Sequence, residues 1–298
     1  MQRSGKEVSA TLSSKGYVLR KQLLPDEYFT PLARPMNPSP PAPTIVFITG
    51  AVVTAACWDN WKSFFEAAGY TCYAPDWPHK AAPAAVLRGQ HPHSPIARNS
   101  LADVLKVYTD FIAQLPAPPI VIGHSFGGLI VQLLLQQGTV AAGVAIESAP
   151  PLGVVVPSRT LVRAVLPMLG LFSSLQTTFL PTFAQWQYAI ANGLPRADQR
   201  AYYEKLAAPE SKRTIRGALS WQARVNFRRP HAPLLFLAGG TDRIMPAALN
   251  RANYRRYRHP ASIIEYHELP GRSHAMLGQP TWREDAELVL RWLLGLPG

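Results

Sequence analysis

Two cysteines in 298 residues are too few for a disulfide framework. Cys57 falls near the start of an expected helix and Cys72 near the start of the next strand. A helix descending one sheet depth separates them by about 18 Å, so both are predicted to be free thiols. Metal-binding patterns are missing too: there is no HExxH and no paired-cysteine motif. His91 and His93 sit in a proline-rich loop with one proline between them, a poor metal pair. No metal is expected. No G-x-G-x-x-G follows a strand and no Walker A loop occurs, so no dinucleotide or nucleotide cofactor is expected. No apolar run reaches the roughly 18 residues of a membrane span. Residues 1–14 have no apolar core of a secretory signal. These absences predict a cytoplasmic protein without stable membrane insertion. No basic-aromatic pattern points to nucleic acid as a partner.

Acidic residues are scarce, 18 against 30 Lys and Arg, for a net charge of +12. The surplus is uneven. Residues 151–231 hold eleven Lys and Arg against Asp198, Glu204 and Glu210, a surplus of eight. This reads as a solvated basic surface or as one that attracts anionic substrates.

What is present is globular: 47% hydrophobic residues and a mean hydropathy of -0.02. Residues 1–43 form an N-terminal extension, with an alternating stretch at 16–24 and a proline-rich connector at 31–43. From residue 44 strand and helix alternate. This predicts an α/β fold, a mostly parallel sheet covered by helices on both faces. The core spans 44–149 and 232–298. Trp58, Trp61, Phe64 and Phe65 lie on one face of an expected helix at 55–68, and Leu101, Val104, Leu105, Tyr108 and Ile112 do so over 99–115. Residues 78–98 read as a long loop. Residues 150–231 break the rhythm with helical patterns interrupted by prolines.

The chemistry concentrates at Gly123-His124-Ser125-Phe126-Gly127, between the apolar run 119–122 and the helical run 129–137. G-x-S-x-G at a strand-to-helix turn is the setting of a nucleophile elbow, where a strained backbone presents the serine hydroxyl above the sheet edge. The helix that follows aims its N-terminal dipole at any oxyanion formed there. Downstream, an apolar strand at 233–238 runs into Gly239-Gly240-Thr241-Asp242, and the alternating strand 262–269 runs into a loop carrying His274. Both residues fall at carboxyl ends of strands, where catalytic loops of open sheets gather. Asp242 has an alternative task, capping the helix near Pro246. Glu147, ending the strand at 144–147, is a reserve acid. His124 is expected to pack beside the loop after the first strand.

With Ser, Asp and His in that order, the chain resembles an α/β-hydrolase with a helical cap. The resemblance covers roughly residues 43–295. It implies Ser125 as nucleophile, His274 as general base and then acid, and Asp242 as the group that orients His274. It implies an oxyanion hole from the N–H of Phe126 and one from the loop after the first strand, Ala51, with Val52 as the alternative. Family members usually carry His-Gly in that loop; this chain has Thr49-Gly50. It also implies that 150–231 is the cap, whose Phe172, Phe179, Phe183, Trp186, Tyr188 and Trp221 line the pocket or pack beneath it. The expected activity is hydrolysis of a carboxylic ester, lactone or thioester with a hydrophobic or aromatic group. Cap arginines are available to a substrate carboxylate. The same triad supports C–C or amide hydrolysis and cofactor-free perhydrolysis. A non-catalytic ligand-binding protein on this fold is the alternative of another class.

Overall fold

Valine, isoleucine, leucine and phenylalanine dominate the segments that become central strands, and this is what a sheet buried on both faces requires. The computed structural model describes residues 42–297. The stretch 16–24 and nearly all of the proline-rich connector lie outside the described residues. Among the described residues six strands form one sheet: β1 Thr44–Ile48, β2 Thr71–Tyr73, β3 Ile120–His124, β4 Ala142–Ile146, β5 Leu234–Gly239 and β6 Ile264–Leu269. Their order is β2-β1-β3-β4-β5-β6, and every pairing is parallel. All of β4 and β5 is buried, while edge strand β6 alternates between half-buried and exposed residues. Each fully buried aliphatic side chain contributes about 1.5–3 kcal/mol.

Among the described residues, ten helices flank the sheet and fill its connections. They are α1 Asp59–Ala67, α2 Ala84–Gly89, α3 Leu101–Ala113, α4 Phe126–Gln137, α5 Arg159–Leu169, α6 Phe183–Ala189, α7 Arg196–Leu206, α8 Lys212–Gly217, α9 Ala247–Tyr254 and α10 Trp282–Leu294. The strand order reverses between β1 and β3. That reversal opens a crevice at the carboxyl ends of these two strands, the usual place for a ligand in such sheets. The β3 strand ends at the G-x-S-x-G turn and β1 ends at Thr49-Gly50, so the topology brings both to one crevice.

Local signals act as expected in α3. Ser100 accepts the Asp103 N–H at 3.2 Å, and the Asp103 carboxylate accepts the Ser100 N–H at 2.8 Å. This capping box starts the helix two residues later than the expected 99. The helix expected at 55–68 begins as a 3-10 turn, Ala55–Trp58, before α1. Trp58, Trp61 and Phe65 are buried, and Phe47 of β1 stacks on Trp58 with ring centroids 4.8 Å apart. Residues 78–98 are not one open loop. They contain α2 and a 3-10 turn at Pro95–Arg98, because Leu87 and Ile96 bury themselves against Ala208. The proline and histidine content concealed that small apolar cluster.

Residues 150–231, between β4 and β5, carry α5 to α8. This insertion is tied to the core by an antiparallel bridge from Val53 to Ala207. Cys57 and Cys72 are both free and buried. Burial pushes the Cys72 thiol up to about 12 and the Cys57 thiol higher still. No helix among the described residues is long and apolar enough to cross a membrane.

Candidate active site

Ser125 stands between the last residue of β3 and the first of α4, with φ 57° and ψ -118°. A non-glycine residue rarely holds such a conformation, which costs about 1–3 kcal/mol. The surroundings impose it. The Ser125 N–H donates to the Ile146 carbonyl at 2.9 Å, and the Ser125 carbonyl accepts from Gly128 and Ala149 at 3.0 and 2.9 Å. A Cβ on Gly123 would meet the Gly127 backbone, and one on Gly127 would meet the Ile48 carbonyl. Strand and helix can cross this tightly only with glycine at both places.

His274 lies on the loop after β6. Its neighbour Ser273 is pinned by donating its N–H to Gln279 Oε1 at 2.6 Å. His274 Nε2 is 2.9 Å from Ser125 Oγ, and its Nδ1 is 2.7 Å from Asp242 Oδ2. Asp242 follows β5, and its Oδ1 accepts the N–H groups of Ile244 and Met245 at 2.8 and 2.9 Å. The carboxylate thus closes a turn with one oxygen and holds His274 with the other. The helix-cap alternative is not what forms: α9 starts after Pro246 and has no side-chain cap. A carboxylate oxygen only accepts, so the contact to Asp242 is made by an N–H on His274 Nδ1, and Nε2 faces the Ser125 hydroxyl. All three residues are buried.

Ala51 and Phe126, the expected oxyanion donors, line the same cavity as Ser125. Among the described residues, neither N–H donates to a protein acceptor. The alternative donor Val52 is occupied: its N–H goes to Glu210 Oε2 at 3.2 Å. Nothing in the sequence signalled Glu210.

Glu147 directly follows β4, with φ 46°, and is fully buried. Its Oε2 is 3.1 Å from His124 Nε2 and 3.7 Å from His274 Nδ1, the latter beyond hydrogen-bond range. Burial, reinforced by the nearby Asp242 and Asp285 carboxylates, holds the Glu147 carboxyl well above its ordinary range. Burial, then the neighbouring His274, pushes His124 well below its own. Burial thus works against charge on both partners of the His124–Glu147 contact. These two residues and His274 bring their polar atoms within 4.8 Å of one another, a set able to approach a cation that no spacing rule in the sequence reveals. His274 has both ring nitrogens engaged by Ser125 and Asp242.

Above the hydroxyl lies a cavity of about 270 Å³, roofed by the insertion and lined by Leu152, Val156, Leu161, Val165 and Met168 beside Ser125 and His274. Of the two readings of the six cap aromatics, lining the pocket or packing beneath the cap, the first is not what forms: none of them lines the cavity. Trp186 is buried in packing, Phe172 and Trp221 are exposed, and Phe179 and Tyr188 border a separate smaller cavity. Aromatic residues that do face the cavity are Phe126 and Tyr202. Among the described residues the lining also holds no arginine or lysine. Arg163 instead stacks over Tyr188 at 4.0 Å and Arg200 over Phe183 at 3.5 Å.

The fold and this crevice define a class, and sequence comparison agrees. Residues 45–286 match the alpha/beta hydrolase family, and the chain belongs to that family. None of the curated proteins matches its sequence. Among solved structures, it is similar to a monoacylglycerol lipase from Paleococcus ferrophilus: 21% identity, TM-score 0.61, covering 85% of this chain and 95% of that one. A methylesterase from Arabidopsis superposes with TM-score 0.62 at 14% identity, covering 86% and 100%. A pyrethroid hydrolase from Sphingobium faniae JZ-2 does so with TM-score 0.60 at 19% identity, covering 85% and 98%. At these identities the likeness is one of fold.

Proposed function

We propose that the protein is a serine hydrolase of neutral carboxylic esters with an aliphatic group of medium length. The observation that carries this reading is the continuous chain Ser125 Oγ, His274, Asp242, at 2.9 and 2.7 Å, opening into an apolar cavity. Ser125 Oγ attacks the ester carbonyl while His274 Nε2 takes its proton. The imidazolium is stabilised by Asp242, and the N–H groups of Ala51 and Phe126 receive the oxyanion. Collapse breaks the C–O bond, and His274 returns the proton to the departing alcohol. Water, deprotonated by His274, then releases the acid from Ser125. The insertion acts as a cap that keeps bulk water from the acyl-enzyme. A cavity just below the usual ~300–1,000 Å³ range, with aliphatic walls and no arginine or lysine among the described residues that line it, favours an uncharged aliphatic group of medium length.

Labelling with a fluorophosphonate probe, on the parent and on Ser125→Ala, tests the reading. Labelling of the parent alone, with turnover of p-nitrophenyl esters at an intermediate chain length, is expected. A folded parent that neither labels nor turns over any ester would overturn it in favour of a ligand-binding role.

A further inference from the structure

The loop after β1 lacks the histidine usual in this family, yet it is held in a strained shape. Val52, a β-branched residue, has φ 60°, a conformation such residues adopt only under constraint. The constraint comes from the insertion. Val52 gives its N–H to Glu210 Oε2 at 3.2 Å, its carbonyl accepts from Ala208 at 2.9 Å, and the Thr54 N–H donates to the Leu206 carbonyl at 3.1 Å. Glu210 is itself fixed. Its backbone exchanges two hydrogen bonds with Phe179, at 2.7 and 2.8 Å, and its Oε1 accepts the Ser211 N–H at 2.9 Å.

A carboxylate with no solvent exposure needs a counter-charge. Lys80, also buried, supplies it from the chain between β2 and α2: its Nζ is 2.8 Å from Glu210 Oε2, with side chains 2% and 0% exposed. Lys80 Nζ also sits 4.9 Å from the Trp77 ring centroid, and Trp77 packs edge-on against Phe126 at 5.7 Å. One ion pair therefore lies behind both donors assigned to the oxyanion hole. On one side it grips the peptide that follows Ala51. On the other it backs the aromatic ring that packs on Phe126.

We infer that Glu210, neutralised by Lys80, is a positioning residue that sets the oxyanion hole by holding the Ala51–Val52 peptide in its strained turn. The inference rests on the ester-hydrolase reading, and it assigns to the cap a task beyond covering the site. Attack geometry depends on Ser125 and His274, which this clamp does not touch. Oxyanion stabilisation depends on donors held at the right place before the charge develops.

Breaking the pair alone would strand a buried charge, so the test removes both charges together. Lys80→Met/Glu210→Gln keeps a carbonyl acceptor for the Val52 N–H, whereas Lys80→Met/Glu210→Leu does not. The Leu variant should lose roughly 10²-fold in kcat, the order for a lost oxyanion donor, with KM for p-nitrophenyl esters little changed. Its affinity for a trifluoromethyl ketone, which forms a tetrahedral oxyanion adduct, should fall by a similar factor. The Gln variant should stay within about tenfold of the parent in both. Amide hydrogen exchange at Val52 should speed up in the Leu variant and stay slow in the Gln variant, a readout that needs no turnover. Equal activity in both variants, or equal loss in both with Val52 still protected, would overturn the inference. A parent that fails to label with fluorophosphonate would sink the hydrolase reading instead, and Val52 exchange would still decide whether Glu210 holds the loop.

Discussion

Two carboxyl groups face one histidine, and distance separates their tasks. Asp242 is 2.7 Å from His274 Nδ1 and Glu147 is 3.7 Å away. Asp242→Asn is expected to lower kcat by about 10⁴, because the amide favours the wrong tautomer of the base. Glu147→Gln should cost less than tenfold. Steady-state kinetics on the two variants checks this, and the reverse ranking would make Glu147 the orienting acid. Glu147 also carries a pH signature. Its folded-state carboxyl titrates well above the ordinary range because it is buried. Between the ordinary carboxylate pKa, about 4.3, and that higher value, the folded chain holds a proton that the unfolded chain has lost. Its contribution is complete at low pH and declines as pH rises through that window. Glu147→Gln removes the decline, so its melting temperature relative to the parent should rise between pH 5 and pH 8. A flat difference measured by calorimetry would contradict the assignment. Ser125 and its flanking glycines were legible from sequence because the tight turn admits few other residues. Glu210 was not, since a single glutamate in a loop gives no sign of what it will be buried against.

Helix α3 shows local sequence setting an element boundary. Its Ser100–Asp103 box satisfies two of the N–H groups that a helix start leaves unpaired. Ser100→Ala should cost about 1 kcal/mol, lowering the melting temperature by roughly 2–4 °C for a domain of this size. Activity should be unaltered, because the box lies away from the crevice. The helix α4 is different. From Phe126 to Leu135 every residue is buried, so it has no amphipathic face to read, and its place follows from the elbow before it. The α2 segment went unread because its apolar contacts, Leu87 and Ile96 with Ala208, join parts of the chain more than a hundred residues apart.

At the scale of the molecule, charge and cavity are separated. The chain carries a net charge of +12, yet among the described residues the cavity wall holds no arginine or lysine and is largely aliphatic. Neutral esters should therefore be turned over with kcat/KM at least tenfold above that of matched esters bearing a free carboxylate, and with little dependence on salt. Preference for the carboxylate ester, weakening with salt, would show that the surface cations reach the substrate. Leu161→Trp or Met168→Trp should narrow the cavity and shift the best p-nitrophenyl ester to a shorter chain. An unchanged optimum would place the acyl group elsewhere.

Sequence by itself determined the strand–helix alternation, the elbow at Ser125 and the order Ser, Asp, His, because each depends on local periodicity or on a turn with narrow steric demands. Tertiary structure alone decided which residues close the crevice. Six aromatics that composition offered to the pocket lie outside it. Aliphatic residues of α5 and the β4–α5 connection fill their place. The strained turn at Val52 is held by Glu210 and Lys80, 158 and 28 positions away along the chain. Side chains acquire such neighbours only when distant segments pack, and no spacing rule encodes that packing.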